Sequence, residues 1–108
     1  MPREISEPDW KLFRQLRTIA LERFCERALT DLDSLASESG KTAHDRYLNV
    51  FELLQRRDRE LSDAFDAARR STAFFQLAAI RSRGLLTDEE FARFSPEARS
   101  VVQVMLGA

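Results

Sequence analysis

Residues 47–79 read YLNVFELLQRRDRELSDAFDAARRSTAFFQLAA. Within this stretch Tyr47, Phe51, Leu54, Asp58, Leu61, Phe65, Ala68, Thr72, Phe75 and Ala79 follow one another at alternating steps of four and three. All but Asp58 and Thr72 are apolar. An α-helix brings residues three and four apart onto one face, so the pattern predicts a helix with a narrow apolar seam of heptad type. Neither Gly nor Pro interrupts it. Thr42, with Asp45 three residues on, supplies an N-terminal cap, and Gly84 can take the left-handed conformation that closes a helix. One helix over residues 42–83 is therefore expected.

Such a helix would be ~60 Å long. A domain of this chain's size is only about 35 Å across. Either the helix breaks, with Arg69-Arg70-Ser71-Thr72 the best place, or it projects and needs a companion surface. The unbroken heptad favours the second. It makes Tyr47, Phe51, Leu54, Leu61, Phe65 and Phe75 interface candidates for a second copy or another protein.

Working outward, residues 8–36 form a first helix. Ser6 is its N-cap, Pro8 is tolerated in the first turn, and Glu7 and Asp9 suit the positive end of the helix dipole. Phe13, Leu16, Ala20, Phe24, Ala28, Leu32 and Leu35 recur at a mean step near the ordinary helical period. On the other side, Thr87-Asp88-Glu89-Glu90 is a capping box with Leu86 placed to staple Phe91. Ser95-Pro96-Glu97 caps and opens one more helix. Residues 87–106 thus hold a short C-terminal helix pair. The expected fold is all-α: a long antiparallel two-helix hairpin carrying two short C-terminal helices, an elongated bundle forming a single domain over residues 1–108.

Composition agrees. The chain has 108 residues, 44% hydrophobic and 32% charged, with three Gly, three Pro and one Cys. That is one core, without general disorder and without the turn residues of a many-stranded sandwich. Seventeen basic against eighteen acidic residues leave a net charge of −1, which draws the whole molecule toward neither nucleic acid nor an anionic membrane. Residues 41–84 are mildly basic, with nine basic and six acidic groups. The N-terminal Met-Pro-Arg-Glu-Ile-Ser-Glu-Pro lacks the apolar core of a signal peptide, and no apolar run approaches the ~20 residues of a membrane span. A bacterial, cytoplasmic location is expected, with no membrane partner.

The inventory for chemistry is thin. Acid–base and nucleophilic catalysis usually recruit His or Cys with an orienting partner. His44 and Cys25 stand alone on different helices. Cys25 falls on an apolar face, where it packs as a small hydrophobe. His44 lies in a first helical turn, where the dipole disfavours its cation. There is no Glu-x-x-His pair for a di-iron bundle, no Cys-x-x-Cys and no Gly-rich phosphate loop. No catalytic residue, cofactor or metal site is assigned. Glu52–Arg56, Arg56–Glu60, Arg59–Asp63 and Asp66–Arg70 are opposite charges four residues apart, as on a solvated helix face.

Asp58 is the exception, a carboxylate on the seam with Arg57 beside it. A lone buried carboxylate is costly, so it must be wet or paired. Three readings stand open: a seam open to water at that level, a paired polar layer of Arg57, Asp58 and Arg69 that sets register, or a niche for a small anion held by Arg57 with Arg69.

Leu77-Ala78-Ala79-Ile80-Arg81-Ser82-Arg83-Gly84-Leu85-Leu86-Thr87-Asp88-Glu89-Glu90-Phe91 resembles the short helical module called SHOCT. It runs as an apolar helix, Gly, an apolar pair, Thr, acidic residues and Phe. That resemblance implies a role in association. The whole chain also resembles small all-helical bacterial proteins of uncharacterised function. The expectation is a non-enzymatic protein–protein interaction or oligomerisation module, a homodimer or a partner-bound chain. The alternative is a regulator that grips nucleic acid through its Arg-bearing middle helix, a reading opposed by the interleaved carboxylates.

Overall fold

The computed structural model describes residues 4–107, and every regular element among them is helical. In order they are α1 (Glu7–Ala36), α2 (Ala43–Phe65), a single 3-10 turn (Arg70–Thr72), α3 (Ala73–Ser82), α4 (Asp88–Ala92) and α5 (Pro96–Met105). The molecule measures 53 × 25 × 24 Å. No helix among the described residues is long and apolar enough to cross a membrane.

The helix starts form as their sequences dictate. Ser6, Thr42, Thr87 and Ser95 each accept a hydrogen bond from the backbone N–H three residues on. At α4 the capping box is complete: the Thr87 hydroxyl accepts from Glu90 N–H, and the Glu90 carboxylate accepts from Thr87 N–H. Gly84 takes φ +69°. Around it Leu85 N–H donates to the Ile80 carbonyl and Gly84 N–H to the Arg81 carbonyl, the paired bonds of a Schellman stop.

The single helix expected over 42–83 is broken. α2 ends at Phe65, Asp66 turns the backbone extended (ψ 170°), and Arg69 is extended too. The break spans Asp66–Thr72 and so includes Arg69–Thr72, the place the sequence offered for one. Burial explains why the break wins. In a straight helix, Leu77, Ala78 and Ile80 would lie far from any core of this chain; folded back, all three are buried. The carbonyls exposed by ending α2 are satisfied from elsewhere. Arg17 of α1 donates to the carbonyls of Phe65 (2.8 Å) and Asp66 (2.9 Å), and Gln76 of α3 donates to those of Asp66 and Ala67 (both 3.1 Å). An unbroken heptad says only that a helix would be amphipathic there; it does not weigh the core that a bend completes.

That core sits at one end. It joins Ile5 and the first half of α1 (Phe13, Leu16, Ala20, Phe24) to α3 (Ala73, Leu77, Ala78, Ile80), Leu85, Leu86, Phe91, Phe94 and α5 (Ala98, Val102). Leu86 and Phe91 are both buried, as the staple predicts. Asp9 ties the head shut, its carboxylate accepting from Ser95 N–H (3.0 Å), Ser95 hydroxyl (2.6 Å) and Ser6 hydroxyl (3.0 Å). Burying this carboxylate is tolerable because three donors replace its water. The second half of α1 and α2 extend beyond the head as an arm. Their contacts descend α1 as they ascend α2: Arg46 donates to the Ala36 carbonyl, Arg57 meets Asp31, and Phe65 packs edge-on against Phe24.

Candidate functional site

The arm has only two helices, so each buries one narrow face. α2 turns Leu53 and Ala64 inward, with Val50, Arg57 and Leu61 half-buried beside them. The seam residues Tyr47, Phe51 and Leu54 lie to one side of that face and point outward. Tyr47 is 67% exposed, Phe51 48% and Leu54 51%. On α1, Leu29 is 65% exposed and Leu32 half-buried on the same side. Single exposed hydrophobics are normal, but a contiguous group on one face calls for an explanation.

Crevices run along the line where α1 meets α2, and two of them share Phe24, Ala28 and Arg57 in their walls. One is an apolar groove of about 290 Å³, walled by Cys25, Leu29 and Leu32 from α1 and Leu54 and Leu61 from α2, with Asp58 on its rim. The other is charged. It holds about 320 Å³ between Arg27, Asp31, Arg57, Glu60 and Arg83. Its cations are answered within it: Arg57 pairs with Glu60 (3.0 Å) and Asp31 (3.5 Å), and Arg83 with Glu60 (3.6 Å). Arg27 spends its guanidinium on the carbonyls of Arg83 and Gly84.

The structure separates the residues that the heptad grouped. Tyr47, Phe51 and Leu54 are exposed along α2; Leu54 and Leu61 line the groove, while Tyr47 lines another crevice with Ala36, Arg46 and Val50. Phe65 turns toward Phe24 and the head. Phe75 is exposed on α3, beside Asp63, Asp66 and Arg69, on another side of the molecule from the groove. The break in helix two is what parts it from the others. Arg57, Asp58 and Arg69 do not converge either. Arg57 is held by Asp31 and Glu60, Asp58 is exposed at the groove rim, and Arg69 sits in the extended turn. Arg57 lines the crevices beside α1 and Arg69 a different one with Asp63, Asp66 and Phe75, so no niche joins them.

Leu29 was not among the sequence candidates, yet it is the most exposed apolar residue of the groove. The signal was its place four residues after Cys25 and three before Leu32. Arg17 and Gln76 have no role in the sequence reading and Asp9 only that of a helix N-terminus; Gln76 carries a visible cue, as the single polar residue in Ala73–Ile80.

The strongest electrostatic feature belongs to the head. Arg23 grips Glu90 with both nitrogens (2.6 and 3.0 Å) and also donates to the Leu85 carbonyl. The guanidinium's hydrogen bonds, with that from Thr87 N–H, hold the Glu90 carboxyl down at about 2. The pair clamps α4 to α1. Cys25 is half-buried against the core, and His44 is exposed in the first turn of α2. Among the described residues, no three His, Cys, Asp or Glu side chains gather as a metal site.

Comparison with known proteins finds no matching family model, no matching curated protein and no matching solved structure.

Proposed function

We propose that this chain is a non-enzymatic interaction module, an antiparallel two-helix arm on a helical head, that works by covering the arm's apolar face with another protein surface. The observation that carries this reading is the row Leu29, Tyr47, Phe51 and Leu54, all exposed, lying beside an apolar groove. The residues of the head explain its stability without it. Its core is closed, α1, α4 and α5 are capped at their N-termini and its buried carboxylate is satisfied. Exposed apolar side chains also occur on the head, at Ile19, Phe75 and Val104–Leu106, but it is the arm's row that adjoins the apolar groove. The association role implied by a SHOCT-like segment at 77–91 belongs to this proposal, although Leu85, Leu86 and Phe91 serve the head core.

A nucleic-acid role draws less support, because five of the eight arginines in residues 41–84 are answered by carboxylates or backbone carbonyls, Arg57 by Asp31 and Glu60, Arg83 by Glu60, Arg81 by Asp88, Arg70 by Glu7 and Arg46 by the Ala36 carbonyl, which leaves Arg56, Arg59 and Arg69 open among the described residues. The test is the mass in solution of wild type against Leu54→Glu, by light scattering. Wild type should run as an assembly and Leu54→Glu as a monomer with an unchanged melting temperature of the head. A wild type that is monomeric, and that captures no protein on an affinity column, would overturn the reading.

A further inference from the structure

We infer that the surface covering the arm is a second copy of the chain, docked antiparallel about a two-fold axis passing between Glu52 and Leu53 of each copy. The inference rests on the interaction reading above and adds to it the occupant and the register.

The seam of α2 contains one carboxylate, Asp58, and one hydroxyl donor, Tyr47. Both are exposed, and neither has a hydrogen bond or ion pair within the described residues. In antiparallel helix pairing the residues on one seam meet those of the other in reverse order. Only one register brings the two polar groups together. With the axis between Glu52 and Leu53, Tyr47 meets the partner's Asp58, Phe51 meets the partner's Leu54, and the two-fold repeats both layers. The phenol O–H then donates to the carboxylate at each end, ~8 Å along the helix on either side of an apolar centre made by Phe51 and Leu54. The polar layer that a seam carboxylate requires is thus supplied by the chain itself, as buried polar residues on helical seams do when they fix register.

The other pairings are worse for stated reasons. A parallel, in-register pair sets Asp58 against the partner's Asp58, two like charges in a shielded layer. Sliding the antiparallel pair one heptad toward the α2 C-terminus sets Asp58 against Leu54. Sliding it one heptad the other way leaves Asp58 outside the overlap, and about a third of the pairing is lost. The available face is also large enough. α2 is about 35 Å long and two adjacent helices are roughly 20 Å wide, giving on the order of 700 Å² per copy, close to the ~800 Å² that each partner contributes to a standard stable interface. Leu29 and Leu32 of α1 extend the same face, so that two arms make a four-helix bundle.

The experiment is oxidative cross-linking in a Cys25→Ser background, with sedimentation equilibrium of each protein beforehand. Tyr47→Cys mixed with Asp58→Cys should give a covalent dimer, and each alone should give little. A dimer formed readily by Asp58→Cys alone reports parallel pairing and overturns the register while self-association stands. Dimeric protein that cross-links in none of the three samples places the interface elsewhere and also overturns it. A Cys25→Ser protein that is monomeric at every concentration overturns the second-copy occupant itself. Independently of any cysteine change, Tyr47→Phe and Asp58→Asn should each weaken dimerisation by at least roughly tenfold; unchanged affinity in both would overturn the proposed pair.

Discussion

Glu90→Gln tests the clamp between α4 and α1 and carries a sign as well as a size. Gln keeps an oxygen that can accept from Thr87 N–H, so the helix cap survives while the charge facing Arg23 is lost. The Glu90 carboxyl titrates at about 2 in the folded chain against its ordinary 4.5. Between those values the unfolded chain binds a proton that the folded one refuses. The stabilisation is therefore complete above about pH 5 and fades as the pH falls toward 2. The full shift would correspond to about 3 kcal/mol. Arg23 is a third exposed, and solvent screening there reduces the expected contribution to about 1–2 kcal/mol. Urea unfolding of both proteins at pH 7 and at pH 2.5 measures it. Wild type should exceed Glu90→Gln by that amount at neutral pH and by much less at pH 2.5. A difference that does not change with pH would refute the assignment of the stabilisation to the carboxylate's charge.

Phe94→Ala removes a side chain that is almost wholly buried in the head and should cost about 3–5 kcal/mol in a thermal or urea melt. Phe51→Ala, half-exposed on the arm, should cost less than about 1 kcal/mol in dilute solution while abolishing assembly seen by light scattering. Asp9→Ala strips the partner from the Ser95 N–H and hydroxyl and from Ser6, so unfolding should come about 1–3 kcal/mol earlier. Arg17→Ala frees the carbonyls at the end of α2; hydrogen exchange across residues 66–72 should quicken more than exchange in α5.

Local signals in this sequence are reliable because they depend on neighbours. Ser6, Thr42, Thr87 and Ser95 cap the helices they precede, and Gly84 stops α3, since each acts within one turn. The all-helical class followed from the same periodicity. The break after Phe65 was hidden because its causes are distant in the chain: Arg17 lies 48 residues away from the carbonyl it satisfies, and the core that recruits Leu77 and Ile80 is built mainly on α1. A seam at steps of four and three reads identically whether its residues face a core, a partner or water. That is why Tyr47, Phe51, Leu54, Leu61, Phe65 and Phe75 entered as one surface and separate into an exposed row, an anchor in the head and an isolated Phe75. Leu29 escaped notice for a related reason, since the wide apolar face of α1 did not reveal which edge of it α2 would leave uncovered.

Hydroxyl-radical footprinting over a wide range of protein concentration tests most directly whether the arm's apolar row is covered in solution. Tyr47, Phe51 and Leu54 should oxidise readily in dilute samples and become protected as concentration rises, while Phe75 and Val104, at least as exposed but away from the groove, stay constant. Oxidation of Tyr47 and Phe51 that is the same at every concentration, at the rate their exposure in the single chain implies, would contradict self-association through this face.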